Sequence, residues 1–233
     1  MVTPSDEFQA EKRAAALVAV DLVADGMRVG LGTGTTVAEL VPALARRRLA
    51  IVCVATSPAT ERLAVAEGLD VRRFDGLDPF DGRDDLDRLD RLDIAIDGAD
   101  QVDPACWLVK GGGGAHTRER IVAAAADRFV VIVSSNKLVG RLHPPVPLEL
   151  LAFGLPATLR AVGATTLRDA PPTPDGGLLA DYAGQVDDPV ALAARLERVP
   201  GVVSHGLFPP SMVDTVLVAR DDRVDAVRPT GAL

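Results

Sequence analysis

The most informative stretch of this chain, residues 92–126, reads LDIAIDGADQVDPACWLVKGGGGAHTRERIVAAAA. It begins with an apolar strand that ends in the carboxylate of Asp97, and Asp100 follows within the same turn. Lys110 closes a second short apolar run, four glycines follow it, and a helix then carries Glu119 in its first turns. In a doubly wound sheet, strand ends and the helix starts that follow them line one crevice, so these groups can converge there. Together they indicate an active site that moves a proton next to a carbonyl.

Outward from this stretch, buried strands alternate with helical patterns, which is typical of an α/β fold. The predicted strands are Met27 to Leu31, Ala50 to Ala55, Asp70 to Phe74 and Arg128 to Ser134, and the predicted helices are Asp6 to Val23, Val37 to Arg47 and Pro58 to Glu67. We therefore expect a Rossmann-like, doubly wound and mostly parallel sheet.

The pattern changes at HPPVPLEL, residues 143–150, where three prolines indicate a crossover into a second, smaller α+β domain. That unit is predicted to hold helices near 156–162 and 189–198 and strands at 165–168, 178–182 and 202–208. The buried run Thr215 to Ala219 is expected to return to the first sheet. The predicted domains are thus residues 1–143 with 214–233, and residues 144–213.

A second glycine-containing loop, Gly32-Thr33-Gly34-Thr35-Thr36, follows the strand Met27 to Leu31 and opens a helix. Glycines allow close approach of a ligand to the backbone, and free amides at a helix start together with threonine hydroxyls suit a phosphate. The loop is neither a Walker loop nor a GxGxxG motif. A tight turn with a threonine cap is the alternative interpretation.

Two lysines outside the central stretch are further candidates. Lys12 lies near one end of the first predicted helix, where a solvated surface lysine is the simpler interpretation of the residues alone. Lys137 follows Ser135 and Asn136 at the end of a buried strand, and a surface loop and an anion site are both compatible with that position.

Composition excludes several classes of protein. A formal net charge of −8 argues against nucleic-acid binding, which requires clustered basic residues. The polar, acidic N-terminus does not resemble a signal peptide, and no apolar run reaches the ~18–20 residues that a membrane span needs. Cys53 and Cys106 show no CxxC spacing and are interpreted as buried free thiols in a reducing cytoplasm. We expect a cytoplasmic protein without membrane or nucleic-acid partners.

The sequence offers no recognisable metal or acyl-transfer motif. The three histidines, His116, His143 and His205, lack metal-binding spacing, and the acidic segment Asp75 to Asp90 lacks the spacing of a calcium loop. No serine or cysteine stands in a nucleophile elbow. We therefore expect no metal and no cofactor.

The motifs DGAD (residues 97–100), KGGGGA (110–115), RERIVA (118–123) and GLGTGTT (30–36) resemble those of the type A ribose-5-phosphate isomerase family. The resemblance extends to ATSPAT (55–60), SSNK (134–137), PVPLE (145–149) and PGVVSHGLF (200–208), so it covers nearly the whole chain in order. It implies interconversion of ribose 5-phosphate and ribulose 5-phosphate without metal, in a homodimer or homotetramer whose subunit contacts come from the smaller domain.

The resemblance also implies a role for each matched position. Glu119 would be the general base that moves a proton between C1 and C2 through an enediolate, and Lys110 would stabilise the oxyanion. Asp97 and Asp100 would bind sugar hydroxyls and assist ring opening. The substrate-binding positions implied are Lys12, Thr33, Gly34, Thr35, Thr36, Gly98, Ala99, Gly111, Gly112, Gly113 and Lys137.

Two departures from the family pattern stand near these positions. Thr35 replaces the usual serine, which keeps the hydroxyl but adds a methyl group beside the expected phosphate. Gln101 stands where glutamate is common after DGAD, which removes a charge near the site. Neither changes one of the four catalytic positions.

Two other functions remain as alternatives at this stage. A non-catalytic sugar-phosphate sensor on the same fold usually carries a DNA-binding helix-turn-helix and a basic patch, and this chain has neither. A CoA transferase with a glutamate nucleophile would need a large nucleotide site, and no further glycine-rich motif offers one.

Overall fold

The computed structural model describes residues 4–74, 89–221 and 223–230. Most of the acidic segment Asp75 to Asp90 lies outside the described residues. Elements are numbered along the chain within the described part.

A mostly parallel sheet forms the centre of the molecule. Within the described residues its seven strands lie in the order β14-β13-β7-β4-β1-β2-β3, and only the β13–β14 pair is antiparallel. The strands are β1 (Arg28–Leu31), β2 (Val52–Ala55), β3 (Asp70–Val71), β4 (Ile94–Asp97), β7 (Phe129–Ser134), β13 (Thr215–Arg220) and β14 (Arg223–Val227). Chain order reverses direction at β1, so the doubly wound prediction is confirmed.

Helices cover both faces of this sheet. They are α1 (Pro4–Val20), α2 (Thr35–Arg46), α3 (Pro58–Ala66) and α4 (His116–Ala124). One apolar core joins α1 and α2 to the face that carries Ile94 and Ile96, and a second joins α4 to the face that carries Ala95. The chain has few aromatic residues, so these cores consist mainly of Ala, Val, Leu and Ile, as the composition predicts.

A second, antiparallel sheet follows, in the order β11-β8-β10-β9. It comprises β8 (Val146–Leu150), β9 (Thr165–Leu167), β10 (Leu178–Tyr182) and β11 (Val202–His205), and it packs with α5 (Leu155–Val162) and α6 (Pro189–Glu197) around a third apolar core. The predicted α+β unit is therefore present. HPPVPLEL is more than a crossover, because its last residues form β8 in the middle of this sheet.

The single strand predicted over residues 202–208 is wrong. The chain leaves the second sheet after β11 and enters a third sheet as β12 (Leu207–Phe208), which pairs with β6 (Leu108–Val109), itself paired with β5 (Gln101–Val102). Gly206 stands at this switch, where a Cβ atom would lie 2.2 Å from the carbonyl oxygen of Lys110. The strand predicted over Asp70 to Phe74 is also shorter than expected, because only its first two residues pair with β2.

The small sheet also contacts the helix that carries Glu119. Glu149, buried in β8, accepts a hydrogen bond from the Thr117 hydroxyl in the first turn of α4 and another of 2.7 Å from Thr173. A buried carboxylate thus links the two units beside the crevice. Among the described residues, no helix combines the length and apolarity needed to span a bilayer.

Candidate active site

The crevice opens at the carboxyl ends of β1 and β4, which are neighbours in the central sheet. Gly32 follows β1, and a Cβ atom there would lie 1.9 Å from Cγ of Asp97. The absence of a side chain at Gly32 therefore lets the Asp97 carboxylate lie against the loop. The peptide N–H groups of Thr33 and Gly98 donate to Asp97 Oδ1 at 3.1 and 2.7 Å.

Lys110 lies between two carboxylates. Its Nζ is 2.9 Å from Asp97 Oδ2 and 3.2 Å from Glu119 Oε2, and it donates to the Gly98 carbonyl at 2.5 Å. The three charged side chains are only 3%, 4% and 5% exposed. The ammonium also lies 5.6 Å from the centroid of the Phe208 ring. Strand end, glycine run and helix start thus bring together three of the four predicted catalytic residues.

Glu119 is less well stabilised as an anion than Asp97. Its Oε2 atom accepts no aligned hydrogen bond within the described part of the chain, although the ammonium of Lys110 is near. Burial raises the pKa of Glu119 to about 8, the charge of Asp97 adds to this, and Lys110 opposes it. Glu119 is therefore the member of the cluster that can take and return a proton near neutral pH.

Asp97 and Lys110 form the charged pair beside it. Burial raises the pKa of Asp97, while Lys110 and two peptide N–H groups favour its ionised form. For Lys110, burial alone would lower the pKa, but the two carboxylates outweigh it and the pKa is raised. The ammonium is therefore retained in the buried site as a fixed positive charge.

Asp100 occupies the exposed rim of the same crevice. Its Oδ2 atom accepts a hydrogen bond of 2.7 Å from the N–H of Gly112, so the glycine run holds the carboxylate in place. Asp100 joins the cluster through this run and not by direct contact with Lys110. Ala99, between the two acids, packs against the second apolar core.

The glycine–threonine loop begins against Asp97 and leads from there to the start of α2. Gly34 precedes α2 with a φ of 126°, a Cβ atom there would meet open space, and no described side chain caps the helix. The alternative of a threonine cap is therefore wrong. Thr35 is exposed at the first helical position and Thr36 is buried. The hydroxyl of Thr33 shares a hydrogen bond of 2.8 Å with the hydroxyl of Thr56.

The two candidate lysines are half-buried on neighbouring elements. Lys137 ends the 3-10 turn Ser135–Lys137 directly after β7, and Lys12 lies on α1, which packs along β7 and this turn. The buried carboxylate of Glu11 joins them, because it accepts hydrogen bonds from the Ser135 N–H at 2.7 Å and the Ser135 hydroxyl at 2.9 Å. Sequence reasoning missed Glu11. The sequence does contain a signal for Glu11, because this acidic residue falls on the same helix face as the buried Ala15 and Ala19.

Gln101 has a structural partner. Its amide nitrogen donates to the His143 carbonyl at 2.8 Å, and its oxygen accepts from the His143 N–H at 2.9 Å. An amide serves both functions, whereas an ionised carboxylate can only accept. Glutamine at position 101 therefore makes both hydrogen bonds to the main chain of His143, in the segment that leads into the small sheet. It leaves the three buried charges untouched.

The described residues contain no group of three or more histidine, cysteine, aspartate or glutamate side chains arranged to hold a metal ion. His116 and His205 are buried, and burial lowers the pKa of each to about 3, so both stay neutral. Cys53 and Cys106 are free and buried, as predicted.

Together, the fold and the crevice define a class of protein: a doubly wound α/β protein with a buried lysine between two carboxylates and an uncapped helix start nearby. Comparisons with known proteins identify the family. The family model for ribose 5-phosphate isomerase A (phosphoriboisomerase A) matches residues 52–223. The ribose-5-phosphate isomerase A of Sphingopyxis alaskensis is 42% identical over 231 residues, which cover 94% of this chain and 96% of that protein.

Solved structures agree. Ribose 5-phosphate isomerase A from Methanocaldococcus jannaschii is similar with a TM-score of 0.83 and 33% identity, covering 94% of this chain and 99% of that one. A D-ribose-5-phosphate isomerase in complex with phospho-erythronic acid is similar with a TM-score of 0.83 and 31% identity, covering 95% and 99%. This chain therefore belongs to the ribose 5-phosphate isomerase A family.

Proposed function

We propose that this chain interconverts ribose 5-phosphate and ribulose 5-phosphate, with Glu119 as the base. The observation that carries the proposal is the buried contact of Lys110 with Asp97 and Glu119 in one crevice, in a chain that belongs to an isomerase family. Such a contact pairs a group that can exchange protons with a fixed positive charge.

In the forward direction, Glu119 removes the proton from C2 of the open-chain aldose. The electron pair moves to the C1 carbonyl oxygen and forms an enediolate, whose charge the ammonium of Lys110 stabilises. Glu119 then delivers the proton to C1, and the hydroxyl proton moves from O2 to O1, so that a ketone results. A positioned base contributes typically ~10²–10⁴ in rate, and a well-aimed donor to the developing oxyanion about 10²–10³.

The substrate phosphate would bind at the opposite end of the crevice. The uncapped start of α2 offers peptide N–H groups and the positive end of a helix dipole, and Lys12 and Lys137 add positive charge. Binding energy from this remote group helps to orient the reacting carbons. The phospho-erythronic acid bound by one relative carries a phosphate and a carboxylate, the two kinds of anion that such a crevice would accommodate.

The two alternative functions have less support. A sensor has no need of a buried lysine between two acids, because recognition is possible with solvated groups that cost less to bury. A CoA transferase would need a large nucleotide site, and the sequence offers no further glycine-rich motif for one.

We further propose that residues 144–213 form a domain that carries subunit contacts in a cytoplasmic homodimer or homotetramer. This proposal is supported by apolar side chains that this segment leaves in solvent, among them Phe153, which is 94% exposed, and Val190. Sedimentation equilibrium of the purified protein tests it, and a monomer across micromolar concentrations would contradict it.

The activity itself is tested with purified protein and ribose 5-phosphate in the presence of EDTA, with ribulose 5-phosphate followed directly. We expect turnover that EDTA does not abolish. Binding of ribose 5-phosphate without turnover would support a sensor. The absence of both binding and turnover would exclude the proposed activity.

A further inference from the structure

Arg168, the residue after β9 in the small sheet, reaches across to the glycine run. Its Nη1 donates to the carbonyl oxygens of Gly111 and Gly112 at 2.9 and 3.1 Å. These glycines follow the catalytic lysine, more than fifty residues earlier in the chain. The small sheet thus contributes a cation to the backbone of the crevice.

This contact determines which way two peptide units face. In a planar trans peptide, the C=O and the N–H point in opposite directions. Because the Gly111 carbonyl points to Arg168, the N–H of Gly112 points away from it, and it donates to Asp100 at 2.7 Å. The Gly112 carbonyl also points to Arg168, so the N–H of Gly113 is turned to the side on which Asp100 lies.

The guanidinium is itself held in a fixed orientation. Its Nε and Nη2 donate to the two oxygens of Asp181 in β10, at 2.9 and 2.7 Å, and the arginine side chain is only 18% exposed. A planar fork can bind a carboxylate with two donors and still direct a third to carbonyl oxygens. A lysine at this position would have one donor nitrogen in place of three, so it could not bind both Asp181 oxygens through separate nitrogens while a third reaches the two glycine carbonyls.

We infer that Arg168 is a positioning residue for the isomerase reaction, an inference that rests on the proposed function. It acts through the peptide units of Gly111 and Gly112, which hold the Asp100 carboxylate and present the N–H of Gly113 to the sugar. Arg168 has no contact with the three buried charges that would carry out the proton transfer. Its effect is therefore on the alignment of the sugar at the rim and not on phosphate binding.

The main test compares Arg168→Lys with a matched variant, Arg195→Lys. Arg195 also donates to a main-chain carbonyl, that of Val162 at 3.0 Å, and lies over Tyr182 of the same strand β10, but it is remote from the glycine run. For Arg168→Lys we expect kcat to fall about 10- to 100-fold while KM changes less than about threefold. For Arg195→Lys we expect kcat within about twofold of wild type. Equal losses of kcat in both variants would overturn the inference.

A double-mutant cycle tests the route through Asp100. In the Asp100→Asn background, the further loss from Arg168→Lys should be smaller than in wild type, because the carboxylate that it positions has been replaced while the N–H of Gly113 is still affected. Losses that multiply independently would overturn the proposed route. Asp181→Asn, which keeps the arginine but loosens it, should reduce kcat in the same direction by a smaller factor.

A readout independent of activity separates this inference from the proposed function. Backbone amide hydrogen exchange of Gly112 and Gly113 should be faster in Arg168→Lys than in wild type, and unchanged in Arg195→Lys. If exchange responds in this way but wild-type protein does not turn over ribose 5-phosphate, the proposed function fails and the positioning role stands. If wild-type protein is active and neither exchange nor kcat responds to Arg168→Lys, the positioning role fails.

Discussion

The two ends of the crevice are built in opposite ways. At the reaction end, Asp97, Lys110 and Glu119 are almost entirely buried and contact one another. At the proposed phosphate end, Gly34 and Thr35 are exposed, and the start of α2 is left without a side-chain cap by the described residues. One end is complete before a ligand arrives, whereas the other presents donors that a ligand would satisfy.

The difference follows from what each end has to do. Moving charges out of water costs several kcal/mol per ion, and only close partners offset that cost. The cost is useful where a carboxylate must have an altered proton affinity, as at Glu119, because burial is what raises its pKa. A phosphate site needs only donors and positive charge, which function well when partly solvated. The predictions below test this division, from the largest expected effect to the smallest.

Glu119→Gln should have the largest effect, because it removes the proposed base and keeps the shape of the side chain. We expect kcat to fall by about 10³-fold or more, while the dissociation constant for phospho-erythronic acid stays within about threefold. Steady-state kinetics and calorimetry measure the two quantities. Glu61→Gln, the same change in the first turn of α3, should have no effect on either. Full activity of Glu119→Gln would reject the assignment of the base.

The raised pKa of Glu119 also predicts how stability depends on pH. Because its folded-state pKa is about 8, against an ordinary value of 4.5, the folded chain holds a proton that the unfolded chain releases. This contribution to the free energy of unfolding is fully present below pH 4.5 and is lost as the pH rises to about 8. Glutamine does not titrate. The free energy of unfolding of Glu119→Gln should therefore increase, relative to that of wild type, by at least ~1 kcal/mol as the pH is raised from about 5.5 to about 8.5. Urea unfolding of both proteins at these two pH values measures the change. A difference in free energy of unfolding that stays the same at both pH values would contradict the prediction.

Lys137→Ala should affect binding more than chemistry. Loss of a charge-assisted hydrogen bond to phosphate, about 1.5–3 kcal/mol, should raise KM about 10- to 100-fold and leave kcat within about threefold. Arg141→Ala is the matched control, since Arg141 is an exposed cation a few residues further on, paired with Asp187. An unchanged KM for Lys137→Ala would exclude this lysine from the phosphate site.

Glu11→Gln should have the smallest effect. The amide keeps one acceptor for Ser135 but loses the charge that both Ser135 donors now share, so the turn that carries Lys137 is held less firmly. We expect KM to rise about two- to fivefold with kcat unchanged. Glu39→Gln, at a more exposed glutamate that binds Gln9, should leave KM unchanged. A fall in kcat without a change in KM would contradict a role confined to the phosphate end.

The reaction end could be predicted from sequence because its signals are local. Asp97 ends a strand, Lys110 precedes a glycine run and Glu119 opens a helix, and the fold rules for strand ends place all three in one crevice. Arg168 could not be predicted, since its contact with Gly111 depends on how the small sheet packs against the first.

The wrong strand prediction over residues 202–208 has a similar cause. The break between β11 and β12 was missed because the apolar residues at both ends of 202–208 resemble a single strand, and the close approach of the Lys110 carbonyl to Gly206 is visible only in the structure.

The placement of the lysines has a practical consequence. The chain contains only three, Lys12, Lys110 and Lys137, and its remaining strongly basic side chains are arginines. Lys110 lies in the crevice, and Lys12 and Lys137 are proposed to bind phosphate there, so amine-directed reagents are expected to mark this crevice, and apart from the α-amino group they have no other primary amine to modify. Reductive methylation with ¹³C-formaldehyde would then give a very simple spectrum in which each lysine resonance reports on the crevice, with the buried ammonium distinguished from the two accessible ones by its slower labelling.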